Sequence, residues 1–137
     1  MGRPRNATAR AGYDNQPSFS LDSRALFFTS VRDDAQADIY RFDFGDGRTT
    51  RLTVTAPQSE YSAAVVPGTT DLAVIRVERD TTQRLWRVPA NAIGKAGAMG
   101  TVLLAHVKPA GYFAFTDART VALFVLGSPA SLQLADT

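Results

Sequence analysis

The chain has 137 residues, 45% hydrophobic and 20% charged, the balance of an ordinary globular domain and far from disordered or fibrous compositions. It has no cysteine and a single histidine, His106, which excludes disulfides, thiolate metal clusters, cysteine nucleophiles and any mechanism that needs two imidazoles. The net charge of +2 comes from a short leader: Arg3, Arg5 and Arg10 lie in residues 1–13 without an acidic residue, and beyond them thirteen acidic residues face twelve basic ones, so no nucleic-acid footprint is read.

In chain order, residues 1–13 read as a flexible basic leader with no apolar stretch behind its charges, and no run approaches the roughly 18 apolar residues of a membrane span, so no membrane insertion is expected. The sequon Asn6-Ala7-Thr8 carries little weight without a secretory segment. Short apolar runs with strand composition follow: Ala25–Ser30, Asp38–Phe44, Arg51–Thr55, Leu72–Val77, Arg84–Val88, Thr101–Leu104, Tyr112–Phe115 and Thr120–Leu126. In the second, Tyr40, Phe42 and Phe44 fall on one face and Ile39, Arg41 and Asp43 on the other, the period of a half-buried strand. Gly45-Asp46-Gly47, Asp33 to Ala37 and Asp80 to Gln83 supply hairpin turns, while Gly94, Gly97 and Gly100 mark a flexible loop. The fold class is therefore all-β, a meander of antiparallel strands.

The runs repeat. Pro17 aligns with Ala63, Leu21 with Pro67, Leu26 with Leu72, Ile39 with Leu85 and Tyr40 with Trp86, each pair 46 positions apart. A third copy follows, with Leu72 aligning with Val121 and Leu85 with Leu132. Periods of about 40 to 50 residues with four strands each are the signature of propeller blades.

The stretch PSFSLDSRALFFTSVRDDAQADIYRFDFGDGRTTRLT, Pro17 to Thr53, resembles the repeat of TolB-like β-propellers: Pro-x-x-Ser-Pro-Asp-Gly, an apolar strand, Ser-x-Arg-Asp-Gly, Asp-Ile-Tyr and a final Arg-x-Leu-Thr. Leu21, Ser23 and Asp34 depart from it, and the second and third units match less closely. The resemblance implies a six-bladed propeller of antiparallel four-stranded blades, on the order of 270 residues at the usual repeat length. This chain then holds about 2.5–3 blades: units of about 14–57, 58–105 and 106–137, the last incomplete, expected of a fragment of a longer protein. It also implies a non-catalytic scaffold for a protein or peptide partner, periplasmic if the parent protein follows the family. The alternative is the propeller part of an α/β-hydrolase-type peptidase whose catalytic domain lies outside this chain. An open arc of blades would expose strand edges and invite self-association.

No catalytic constellation is read. Asp43-Phe44-Gly45 spells the metal-binding tripeptide of protein kinases without its accompanying motifs and reads as a hairpin turn. The glycine-rich run from Gly94 lacks phosphate-loop and dinucleotide spacing. Ser20, Asp22 and His106 have triad residue types but no nucleophile elbow. Asp33, Asp34 and Asp38 lack the spaced ligands and closing glutamate of a calcium loop and read as backbone-bonding turn residues, and Trp86 reads as an aromatic packed between blades. No metal or cofactor is therefore expected. Binding is expected in the loops that lead into each unit's first strand and ring the channel mouth: Asn15 and Gln16; Glu60, Tyr61 and Ser62; and Lys108 to Tyr112, with Lys108 and Tyr112 foremost.

Overall fold

The computed structural model describes residues 2–98 and 100–137; Met1 and Met99 lie outside the described residues. Three antiparallel sheets follow one another along the chain. The first runs β1 (Asp14–Phe19), β2 (Ala25–Ser30), β3 (Asp38–Asp43) and β4 (Thr49–Arg51) in simple sequence order. The second repeats it with β5 (Ser59–Val65), β6 (Leu72–Val77), β7 (Gln83–Val88) and β8 (Thr101–Val102). The third has β9 (Ala110–Phe115), β10 (Thr120–Val125) and β11 (Ser131–Asp136).

Aspartates hold the turns. Asp46 Oδ1 accepts from the Arg48 N–H at 2.9 Å, Asp22 Oδ1 from Arg24 N–H at 3.1 Å, Asp80 Oδ1 from Thr82 N–H at 3.0 Å and Asp117 Oδ1 from Arg119 N–H at 2.7 Å. Each side chain thus satisfies a donor two residues on that the ladder leaves open. Gly47, at φ 72°, supplies the left-handed position of the β3–β4 hairpin.

The sheets pack face to face. Phe27 and Ile39 of the first meet Ala63, Leu72, Val74 and Val88 of the second, and the second sheet's opposite face, with Ala73, Ile75 and Leu85, meets Ala110, Val121 and Leu123 of the third. Alternation in β2 and β6 splits their apolar residues between two covered faces, which is why these strands read as nearly continuous hydrophobic runs. The third sheet's other face is open: Tyr112, Phe124 and Leu132 stand opposite one another across β9, β10 and β11, beside Ala114, Ala122 and Leu134. Leu132 is 77% and Leu134 71% exposed.

Three details differ from the expectations above. The fourth strand is Thr49–Arg51 rather than a run through Thr55: the N–H of Leu52 still reaches Ile39 O of β3 at 2.7 Å, but the chain then bonds elsewhere, Leu52 O and Val54 O accepting from Gly94 N–H and Gly97 N–H at 2.7 and 2.9 Å. Those same bonds show that the glycine-rich segment is not a free loop. It straps the second sheet to the first, using left-handed φ values of 75° and 71° at Gly94 and Gly97. The leader also lies against the fold, with Ala7 packing against the cluster of Phe28, Tyr40 and Phe42 and Arg10 ion-paired to Asp14 at 3.0 Å.

Candidate functional site

Most of the residues expected in loops before the first strands lie in those strands, while Lys108 stays in the β8–β9 connection. Asn15 and Gln16 lie in β1, Glu60, Tyr61 and Ser62 in β5, and Tyr112 in β9. DNQPSF is polar and holds a proline, so it does not read as a strand, yet its position at the edge of the sheet and its bulge accommodate both features. The bulge recurs. The β1–β2 register shifts between Asn15 and Ser18, and the β5–β6 register shifts between Tyr61 and Ala64. Gln16 and Ser62, 46 positions apart, sit in these bulges with left-handed φ values of 55° and 56°.

The bulges bring the first two sheets together at the end where β1 and β5 begin. Ser62 N–H donates to Gln16 Oε1 at 3.2 Å, and the Thr29 hydroxyl donates to the same oxygen at 2.9 Å. Farther along, Ser18 Oγ donates to Ala63 O at 2.5 Å. Beside this junction a cleft of about 320 Å3 is lined by Tyr13, Gln16, Tyr61, Ile75, Val77, Gln83, Gly111, Tyr112 and Leu126. Each of the three repeats contributes one of the expected residues: Gln16, Tyr61 and Tyr112. Tyr112 is 55% exposed and rests near Phe124, with ring centroids 6.3 Å apart.

The other expected residues are placed elsewhere. Asn15 lines a separate hollow beneath the leader, with Arg5, Asn6 and Ala7. Lys108 lines another with Asp80, Thr81 and Thr82. Ser62 joins the cleft's frame through its backbone rather than its hydroxyl. Glu60 offers no surface, since it is fully buried and accepts from Arg76 Nε at 2.8 Å and from the Thr55 hydroxyl. Its repeat equivalent explains this. Asp14, 46 positions earlier, likewise stands at the start of its strand and is paired to Arg10 and Arg32 at 3.0 and 2.9 Å, and both carboxylates anchor an arginine stacked over an aromatic ring. Arg32 lies 4.7 Å from the Tyr40 centroid and Arg76 lies 4.4 Å from that of Trp86. Burial counts most against the Asp14 charge, but bonds from Ser30, Thr8 and Arg32 outweigh it and hold the carboxyl below its usual range.

A buried polar seam joins the first two sheets behind the cleft. Asp38 is 1% exposed, accepts from Arg51 Nη2 at 2.7 Å and lies near Glu60; burial pushes its carboxyl up to about 6 in spite of Arg51. Asp34 also pairs with Arg51 and Asp33 accepts from the Tyr40 hydroxyl at 2.7 Å, so the aspartates of the β2–β3 connection spend their oxygens on arginine and tyrosine. Ser20 Oγ bonds Asp22 at 2.7 Å within one turn, and His106 is exposed in the β8–β9 connection. At the ends of β1 and β5 away from the cleft a second hollow of about 360 Å3, with Phe27, Leu52, Val65, Leu72 and Ile93 on its walls, opens between the first two sheets only.

Tyr13 and Gln83 complete the cleft and are absent from the sequence expectations. Tyr13 immediately precedes β1, and Gln83 is brought in by the β6–β7 register, where it stands opposite Val77. The signal for Gln83 is the hairpin itself: the turn at Asp80 returns the chain to the end at which β5 begins.

No protein-family model and no curated protein matches the chain. Among solved structures it is similar to TolB from Acinetobacter baumannii, with a TM-score of 0.63 and 20% identity over 95% of this chain and 31% of that one. The chain thus spans under a third of the length of that protein. The likeness is one of fold. The three consecutive meanders packed face to face correspond to blades.

Proposed function

From a TolB-like propeller fold of partial extent as premise, we propose that the chain is a non-catalytic scaffold that binds a protein or peptide segment in the cleft where β1, β5 and β9 begin. One observation carries the reading: three successive repeats each contribute a residue, Gln16, Tyr61 and Tyr112, to the lining of the same cleft. Repeats that converge on one concavity offer an extended ligand several contacts at fixed spacing, and tyrosine supplies large contact area at low entropic cost. The test is selection from a displayed random-peptide library against the 137-residue chain, followed by titration of the selected peptides with Tyr61→Ala and Tyr112→Ala proteins. Selected peptides should bind the wild type and lose about tenfold or more with each substitution, the effect of about 1.4 kcal/mol. Failure to select any peptide, or unchanged affinity in both variants, would overturn the reading.

A further inference from the structure

The cleft is uncharged. Among the described residues that line it are three tyrosines, Tyr13, Tyr61 and Tyr112, and two glutamines, Gln16 and Gln83, over an aliphatic floor, with no aspartate, glutamate, lysine or arginine. A charged ligand group would lose its hydration here without gaining a counter-charge, so the lining selects a neutral ligand.

The cleft also has a donor of fixed direction. A backbone N–H can only donate, so the bond from Ser62 N–H identifies the Gln16 atom it meets as the oxygen, and the Thr29 hydroxyl at 2.9 Å adds a second bond to that atom. With Oε1 engaged on both, Nε2 is the end of the amide left for a ligand, and it presents hydrogens only. Gln16 is held there by the β1 bulge at a left-handed φ of 55°, so little side-chain freedom remains to be lost on binding.

A matching ligand is uncharged, offers acceptors, makes little demand for acceptors in return and lays flat apolar rings on tyrosine faces. Proline-rich peptide in the polyproline II conformation meets all four conditions. Its carbonyls project outward, its prolines have no N–H to leave unsatisfied, and its shape is formed before binding. A neutral saccharide fits less well, because its hydroxyls are donors as well as acceptors and several would face the aliphatic floor. We propose that this cleft recognises an uncharged, proline-rich segment in polyproline II form, with Gln16 Nε2 donating to a backbone carbonyl of the ligand. This rests on the reading of the cleft as a peptide site and specifies its ligand class.

The test is calorimetric and tyrosine-fluorescence titration of the 137-residue chain with an end-blocked oligoproline, a length-matched Gly-Ser peptide and a neutral oligosaccharide. Oligoproline is expected to bind saturably and more tightly than the other two. Gln16→Glu keeps an oxygen toward Ser62 but replaces the donor by a charged acceptor, and is expected to weaken oligoproline by about tenfold or more with an unchanged unfolding midpoint. Tyr112→Ala, at an exposed position, is the second variant should Gln16→Glu fail to fold, with the same loss expected. Equal oligoproline affinity in a folded variant would overturn the proposal. Equal or tighter binding of the Gly-Ser peptide would overturn the ligand class while leaving the peptide site intact. Saccharide binding without any peptide binding, or no binding by peptides of any composition, would overturn both.

Discussion

Asp38→Asn isolates the cost of the buried seam between the first two sheets. Asp38 is 1% exposed, and burial, the largest influence on its carboxyl, raises its pKa from 3.8 to about 6 against the pull of Arg51 at 2.7 Å. A folded-state pKa above the unfolded one means that the fold favours the protonated acid. The associated stability is fully present below about pH 3.8 and is lost as pH rises through about 6. A shift of about 2 units at 1.36 kcal/mol each makes that loss about 3 kcal/mol. Asparagine does not titrate, so the stability of Asp38→Asn minus that of the wild type should rise by about 3 kcal/mol between pH 3.5 and pH 7.5. Urea unfolding of both proteins at half-unit pH steps measures it, and carboxylates common to both, such as Asp14 and Asp117, cancel in the difference. A flat difference would refute the burial argument. A falling one would show that the Arg51 ion pair, rather than desolvation, governs this carboxylate.

Three further substitutions probe the packing. Gly100 has φ 71°, and a Cβ there would stand 2.1 Å from the Arg87 carbonyl oxygen, so Gly100→Ala should cost more than about 2 kcal/mol in urea unfolding as β8 is pushed off β7. Leu85 is fully buried in the interface of the second and third sheets, and Leu85→Ala should lower stability by about 2–5 kcal/mol, read from the same curves. The open face of the third sheet predicts self-association at high concentration. The double variant Leu132→Glu and Leu134→Glu should shift sedimentation velocity toward monomer, and identical profiles for both proteins would exclude this face as the contact.

The middle strands were plain in the sequence and β1 and β5 were not, for a physical reason. β2 and β6 are covered on both faces and β10 on one, so ALFFTS and LAVIRV, and to a lesser degree TVALFV, carry a dense apolar signal. β1 is half exposed along its length and is interrupted by a bulge, so DNQPSF looks like a connection. The same blindness turned the glycines at 94 and 97 into a flexible loop. Glycine marks a left-handed φ, but only the tertiary structure shows that the conformation serves bonds to Leu52 and Val54.

Part of the cleft could be read for a related reason. The 46-residue offset, carried upstream of Pro17, pairs Asp14 with Glu60 and Gln16 with Ser62. It does not distinguish adjacent residues of one strand. Glu60, Tyr61 and Ser62 are consecutive, and alternation sends the carboxylate inward to Arg76 while the tyrosine lines the cleft. The bulge then turns the Ser62 N–H onto Gln16 of the preceding repeat. The serine thereby acts on the site through its backbone, a role that any residue tolerating φ near 56° could fill and that side-chain chemistry in the sequence does not reveal. The repeat supplies three neighbouring strands, and the break in their regular pairing orients the donor between two of them.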